Sequence, residues 1–173
     1  PPLALSEIQN FADSLIARGL KTVVLVGQGG STQAPMTLTK YNKADSSLIS
    51  FKTIDSVSPV RVRAIMSECD PKTTLVIHSS KSGSTIEPHT IMQAKLSQEE
   101  LYNHLVAITD PGSDLEKRAK EEGWLRVFTG EPSVGGRYSA LSVFGLLPAA
   151  LAGINLNALM RSAARAEMLC SSD

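Results

Sequence analysis

A chain of 173 residues with 42% hydrophobic and 20% charged content can bury one real core but is too short for two full domains. Its 17 basic and 17 acidic residues cancel and no block of like charge occurs. That excludes the net basic field needed by a non-specific nucleic-acid or anionic-membrane partner, while leaving room for a local anion site.

Residues 3–18 put Leu5, Ile8, Phe11, Ala12, Leu15 and Ile16 on one helical face, and Gly19 ends the helix. Residues 22–26 are a short β-branched run, the first strand, which empties into Gly27-Gln28-Gly29-Gly30-Ser31-Thr32. A helix is expected from Gln33 or Pro35 to about Tyr41. A second strand is predicted over 48–54, closed by Asp55, and a helix from Ser58-Pro59 to about Cys69, with Pro59 at a favoured first-turn position. Leu75, Val76 and Ile77 form the apolar run of a buried third strand. It passes into the hydroxyl-rich turn SSKSGST at 79–85 and then a helix from Glu87 to about Tyr102. A fourth strand over 104–109, a helix over 113–122 closed by Gly123, and a fifth strand over 124–128 follow. A loop with Gly130, Pro132, Gly135 and Gly136 leads through Arg137 into a mostly apolar helix over 138–152, and a last helix covers 155–170.

Five alternations of strand and helix through short connections predict an α/β fold, a three-layer α/β/α arrangement around a five-stranded parallel sheet. Nothing resembling a repeat, a low-complexity tract or a linker divides residues 1–173, so one domain is expected. With strand order 2-1-3-4-5, the reversal falls between strands one and three, and ligands of such sheets bind at that crevice. The two loops rich in glycine and serine follow those two strands.

The longest apolar run, 143–154, contains Gly145, Pro148 and Gly153 and is too short to span a bilayer. No signal-peptide pattern opens the chain. Cys69 and Cys170 show no metal-ligand or CxxC spacing and read as reduced thiols of a cytoplasmic protein. The first residue is Pro1 rather than Met, as in a piece cut from a longer protein.

Three segments carry candidate chemistry. In the first loop the glycines let backbone approach a ligand. A dinucleotide fingerprint would want a small residue where Thr32 stands and an acid such as Asp55 after the second strand; a ligand-free tight turn is the plain alternative. The second loop lacks P-loop order, yet its hydroxyls, one ammonium and a helix start suit a phosphate monoester. Its alternative is a solvated turn with Thr85 capping the next helix. In the third, two glycines precede Arg137, a permanent planar cation suited to an enolate or carboxylate; its alternative is an ion pair with an acid such as Glu87. Glu87 itself sits where a helix dipole favours a carboxylate. Of three histidines, His78 lies at a strand end near the crevice, and His89 and His104 read as surface residues. No spacing suggests a metal, and no GxSxG elbow supports a hydrolase.

Together VGQGGSTQAP, SSKSGSTIEP, ITDPGSDLEKRA and VGGRYSALSVFGLLPAALAGIN resemble the glucose-6-phosphate isomerases, members of the SIS fold group, over most of residues 22–168. The second segment is closest to bacterial forms, including those fused to a transaldolase. The resemblance implies that Gly30 and Ser31 make a first sugar-phosphate contact. It implies that Ser80, Lys81, Ser82 and Thr85 hold phosphate, and that Gly136 and Arg137 stabilise a cis-enediolate. Gln28, Ala34 and Ser84 depart from the usual apolar residue, glycine and threonine. It implies a hexose phosphate ligand and no metal or organic cofactor. The family's glutamate base, a histidine lent by a second subunit, and a lysine for ring opening resemble features of its second half. After Arg137 this chain has 36 residues, with Glu167 its one glutamate and neither histidine nor lysine. The expectation is a first SIS half that lacks the base, is inactive alone, partners a second SIS half, and dimerises through exposed apolar surface on its last two helices. The rival from another class is a stand-alone SIS sensor of sugar phosphates.

Overall fold

A computed structural model describes residues 4–41, 49–95 and 104–171. Five strands, β1 (Thr22–Gly27), β2 (Ser50–Ile54), β3 (Thr74–Ser79), β4 (Leu105–Thr109) and β5 (Arg126–Thr129), form one parallel sheet in the order β2-β1-β3-β4-β5. The central strands β1, β3 and β4 are buried at every position, so their apolar runs are continuous rather than alternating. The edge strands β2 and β5 are only partly covered.

Among the described residues seven α-helices flank the sheet: α1 (Leu5–Ala17), α2 (Gly30–Tyr41), α3 (Pro59–Ser67), α4 (Ile86–Lys95), α5 (Asp114–Glu121), α6 (Val143–Leu151) and α7 (Leu156–Cys170). Alternate strand residues feed two cores. Val23, Leu25, Leu75, Ile77, Val106 and Ile108 pack with α1 and α6. Val24, Val26, Val76, Leu105 and Ala107 pack with Val62 of α3, Ile91 of α4, and Leu115 and Ala119 of α5. The α/β/α layering and strand order are those expected. Helix α6 is buried along its whole length, which explains its unbroken apolar sequence.

Several boundaries differ for local reasons. Helix α2 starts at Gly30, earlier than Gln33, because Thr32 and Gln33 already donate to Gly29. The helix expected over 138–152 is two pieces, a 3₁₀ turn (Gly136–Leu141) and then α6. Ser139 Oγ donates to the Gly136 carbonyl and Ser142 Oγ to that of Ser139, while Ser142 Oγ accepts from Phe144 N–H. These serine bonds compete with the helical ladder and turn the chain at extended Ser142. Strand β5 begins at Arg126; Trp124 instead closes the end of α5, donating from its backbone to Ala119 and from its indole to Glu122. Ser113 and Asn155 cap α5 and α7. Helix α1 has no side-chain cap, and Ser6 lies inside its first turn. The start of the second predicted strand and the stretch 96–102 of the fourth predicted helix lie outside the described residues. No described helix is long and apolar enough to cross a membrane.

Candidate functional site

Register fixes where the loops go. Gly27 at the end of β1 pairs with Ser79 at the end of β3, so residues 27–32 and 79–85 leave the same end of adjacent strands. A Cβ on Gly27 would stand 2.7 Å from the Ser79 carbonyl oxygen, so only glycine lets the two strand ends close together.

The first loop is tied on both sides. Gln28 Nε2 donates to the Asp55 carbonyl at 2.9 Å, joining it to the end of β2. Asp55 is itself 3.3 Å from Arg61. That contact lacks hydrogen-bond alignment, and Asp55 Oδ1 is otherwise without a partner. Ser31 is buried, and its N–H returns to the Gln28 carbonyl. Gly30 opens α2, and a Cβ there would lie 2.6 Å from Gly136 C and 3.1 Å from Arg137 N. The first and third segments therefore meet backbone to backbone at Gly30.

In the second loop Ser80 is buried, its N–H donates to Ile108 of β4, and its hydroxyl donates to Thr85 Oγ1 at 3.1 Å. Gly83 holds a left-handed φ of +70°, and a Cβ there would also strike Ser113 at 2.8 Å. The loop thus rests on the turn after β4. Ser82 and Ser84 are exposed and bond to each other at 2.9 Å. Among the described residues, the backbone N–H groups of Lys81, Ser82 and Thr85 have no protein acceptor. The Lys81 ammonium, expected to face a ligand, lies 2.8 and 2.6 Å from the two carboxylate oxygens of Asp110 and 3.1 Å from the Glu131 carbonyl.

Arg137 is exposed and forms no ion pair among the described residues; its guanidinium lies 5.8 Å from the Tyr138 ring centre. The pairing with Glu87 considered from the sequence does not form, and Glu87 is exposed in the first turn of α4. A Cβ on Gly136 would meet nothing within 4 Å. Gly136 therefore borders open space, and the packing requirement falls on Gly30.

His78 is not in the crevice. It points to the α3–α5 face, 2% exposed, with its ring 6.2 Å from Trp124 and both nitrogens unpartnered. Burial, and then the charges of His89 and Arg118, push it down to about 3. His89 and His104 are half-buried rather than surface residues: His89 Nδ1 accepts from Arg118, and His104 Nδ1 bonds to the Thr74 carbonyl. Among the described residues no group of three or more His, Cys, Asp or Glu could hold a metal ion. A cavity of about 130 Å³ bordered by Arg18, Lys72 and His104 lies at the other end of the strands. A groove of about 740 Å³ runs beside the end of β5, between Leu5, Gly130, Leu141 and Met160.

The model of the phosphoglucose isomerase family matches residues 12–168. The chain belongs to the phosphoglucose isomerase family. A glucose-6-phosphate isomerase from Synechococcus sp. (strain JA-2-3B'a(2-13)) is 38% identical over 149 residues, which cover 82% of this chain and 28% of that protein. The crystal structure of a hypothetical protein from Thermus thermophilus superimposes with a TM-score of 0.87 at 34% identity, covering 98% of this chain and 41% of that one. A glucose-6-phosphate isomerase structure from Chlamydia trachomatis gives 0.76 at 27% identity, covering 85% and 29%. The chain spans 27–35% of the length of the curated relatives it matches.

Within this family member, one sheet end gathers Gly30, Ser31, Ser80, Lys81, Ser82 and Thr85, with Gly136 and Arg137 docked on Gly30. The starts of α2 and α4, the backbone N–H groups of Lys81, Ser82 and Thr85 and the Arg137 side chain also lie at that end. Sequence reasoning missed Asp110 and Glu131. Their proximity to Lys81 depends on β3, β4 and β5 lying side by side, and Asp110 in its Asp-Pro-Gly turn shows no local sign of it.

Proposed function

We propose that this chain is the sugar-phosphate-binding domain of a glucose-6-phosphate isomerase that interconverts glucose 6-phosphate and fructose 6-phosphate. The carrying observation is the convergence of the three glycine- and serine-rich turns at one end of the sheet, with Gly30 seated on the Gly136–Arg137 peptide. The phosphate dianion would take hydrogen bonds from Ser31, Ser80, Ser82, Thr85 and the N–H groups of residues 81, 82 and 85. When a base removes the C2 proton of the open-chain aldose, negative charge builds on O1 and O2 of a cis-enediolate. Arg137 would stabilise it, and returning the proton to C1 while the O2 hydroxyl proton passes to O1 gives the ketose.

The carboxylates nearest the second loop are Asp110, which pairs with Lys81, and Glu87, exposed in the first turn of α4; neither lies in a segment that resembles the family's base motif. Glu167, the one glutamate after Arg137, is exposed on α7. The base is proposed to come from the part of the relatives that this chain does not span, a second SIS half. A positioned base is worth about 10²–10⁴-fold, so the 173-residue chain is expected to bind ligand but not to turn it over. Of the last two helices, α6 is buried throughout and offers none of the apolar surface expected of it, so Met168 and Leu169, exposed on α7, would offer such surface to that half or to a second copy.

Calorimetric titration with 6-phosphogluconate, with NAD as control, tests the reading. Binding of the sugar acid phosphate, weakened in Arg137→Ala and absent for NAD, supports it. Binding of NAD alone, or measurable isomerisation by the isolated chain, contradicts it.

A further inference from the structure

Four contacts surround the Lys81 ammonium: Asp110 Oδ1 at 2.8 Å, Asp110 Oδ2 at 2.6 Å, the Glu131 carbonyl at 3.1 Å and the Pro132 carbonyl at 3.5 Å. An ammonium has three N–H bonds, and the two carboxylate oxygens and the Glu131 carbonyl use all three. The side chains are only 21% and 20% exposed, so solvent competes weakly for them. The backbone of the same residue is held as well. The Lys81 carbonyl accepts from Asp110 N–H at 3.0 Å and from Thr109 Oγ1 at 3.4 Å. Thr109 in turn bonds to Ser113, against which Gly83 packs. Residue 81 therefore joins the turns that follow β3, β4 and β5.

We infer that Lys81 is a positioning residue: its ammonium, saturated by Asp110 and the Glu131 carbonyl, clamps three strand-end turns and leaves phosphate to the N–H groups and hydroxyls of the 80–85 loop. Withdrawing the ammonium toward a ligand would leave the Asp110 carboxylate unpaired beside a dianion, a like-charge arrangement that opposes binding. The ligand part of this inference rests on the sugar-phosphate reading above; the clamp itself rests on this chain's own contacts.

The two roles predict opposite effects for the same substitution. If Lys81 is a clamp, Lys81→Met and Asp110→Asn both loosen the loop. Each should weaken 6-phosphogluconate binding about tenfold, the scale of one lost charge-assisted bond, and the double variant should be no worse than either single one. If Lys81 touches phosphate, Asp110→Asn releases the ammonium and leaves binding unchanged or tighter, while Lys81→Met alone weakens it. Amide hydrogen exchange supplies a readout that needs no ligand. Both single variants should exchange faster at Gly83 and Asp110, whose N–H groups close the loop. Faster exchange with matched, non-additive losses of affinity upholds the inference. Opposite effects on affinity, unchanged exchange, or faster exchange with wild-type affinity each overturn it. Should the wild-type chain bind no 6-phosphogluconate, the functional reading fails separately, and exchange alone decides whether the clamp stands.

Discussion

Gly30→Ala probes the contact on which the site's assembly depends. An ideal Cβ at residue 30 would stand 2.6 Å from Gly136 C and 3.1 Å from Arg137 N. Carbon atoms at rest sit about 3.5–4.0 Å apart, so the 3₁₀ turn must retreat by roughly 1 Å. Overpacking of this kind costs about 1–3 kcal/mol. Alanine's better helix propensity returns at most about 1 kcal/mol, and less at a first helical position. A net loss of roughly 1–2 kcal/mol lowers Tm by about 2–8 °C in a chain of this size. Gly136→Ala is the matched control. Its Cβ meets nothing within 4 Å, so its Tm should stay near wild type. The new methyl would protrude into the open crevice and weaken 6-phosphogluconate binding. Thermal unfolding by circular dichroism reads both. Wild-type stability in Gly30→Ala, or equal losses in the two variants, would refute the backbone contact.

Gly83→Ala should be costlier than Gly136→Ala, because it combines a left-handed φ with a clash against Ser113; urea unfolding should show a loss above about 1 kcal/mol. His78 predicts an acid dependence. Its folded pKa of about 3 lies below the ordinary value of 6.5, so between those values the unfolded chain holds the extra proton and stability falls as pH falls. The slope from this group approaches about 1.4 kcal/mol per pH unit below pH 6.5. His78→Leu should flatten the decline between about pH 6.5 and 5 in urea titrations; identical slopes would show that the ring is not buried neutral.

The sheet was legible because its central strands announce themselves. Val23 to Val26 and Leu75 to Ile77 are short apolar runs bounded by turn residues, and helical periodicity fills the gaps between them. The order 2-1-3-4-5 entered as a supposition about such sheets, and it put the two glycine- and serine-rich loops on neighbouring strands, as the structure has them. Details set by contacts distant in sequence were not legible. Lys81 meets a carboxylate 29 residues away, a partner that the loop's own sequence does not reveal. His78 looked like a crevice residue because it ends a strand, but alternation along β3 turns it to the opposite face from Ile77 and Ser79. The break before α6 depends on serine hydroxyls choosing backbone acceptors, which an apolar helical pattern does not reveal.

The central claim is that a sugar phosphate sits between the turns after β1 and β3. Amide chemical-shift mapping of the ¹⁵N-labelled chain during 6-phosphogluconate titration tests it most directly. The largest shifts should fall at Gly30, Ser31, Ser80 to Thr85 and Arg137, with residues at the far end of the strands unmoved. Shifts concentrated instead around Arg18, Lys72 and His104, or none at millimolar ligand, would contradict it.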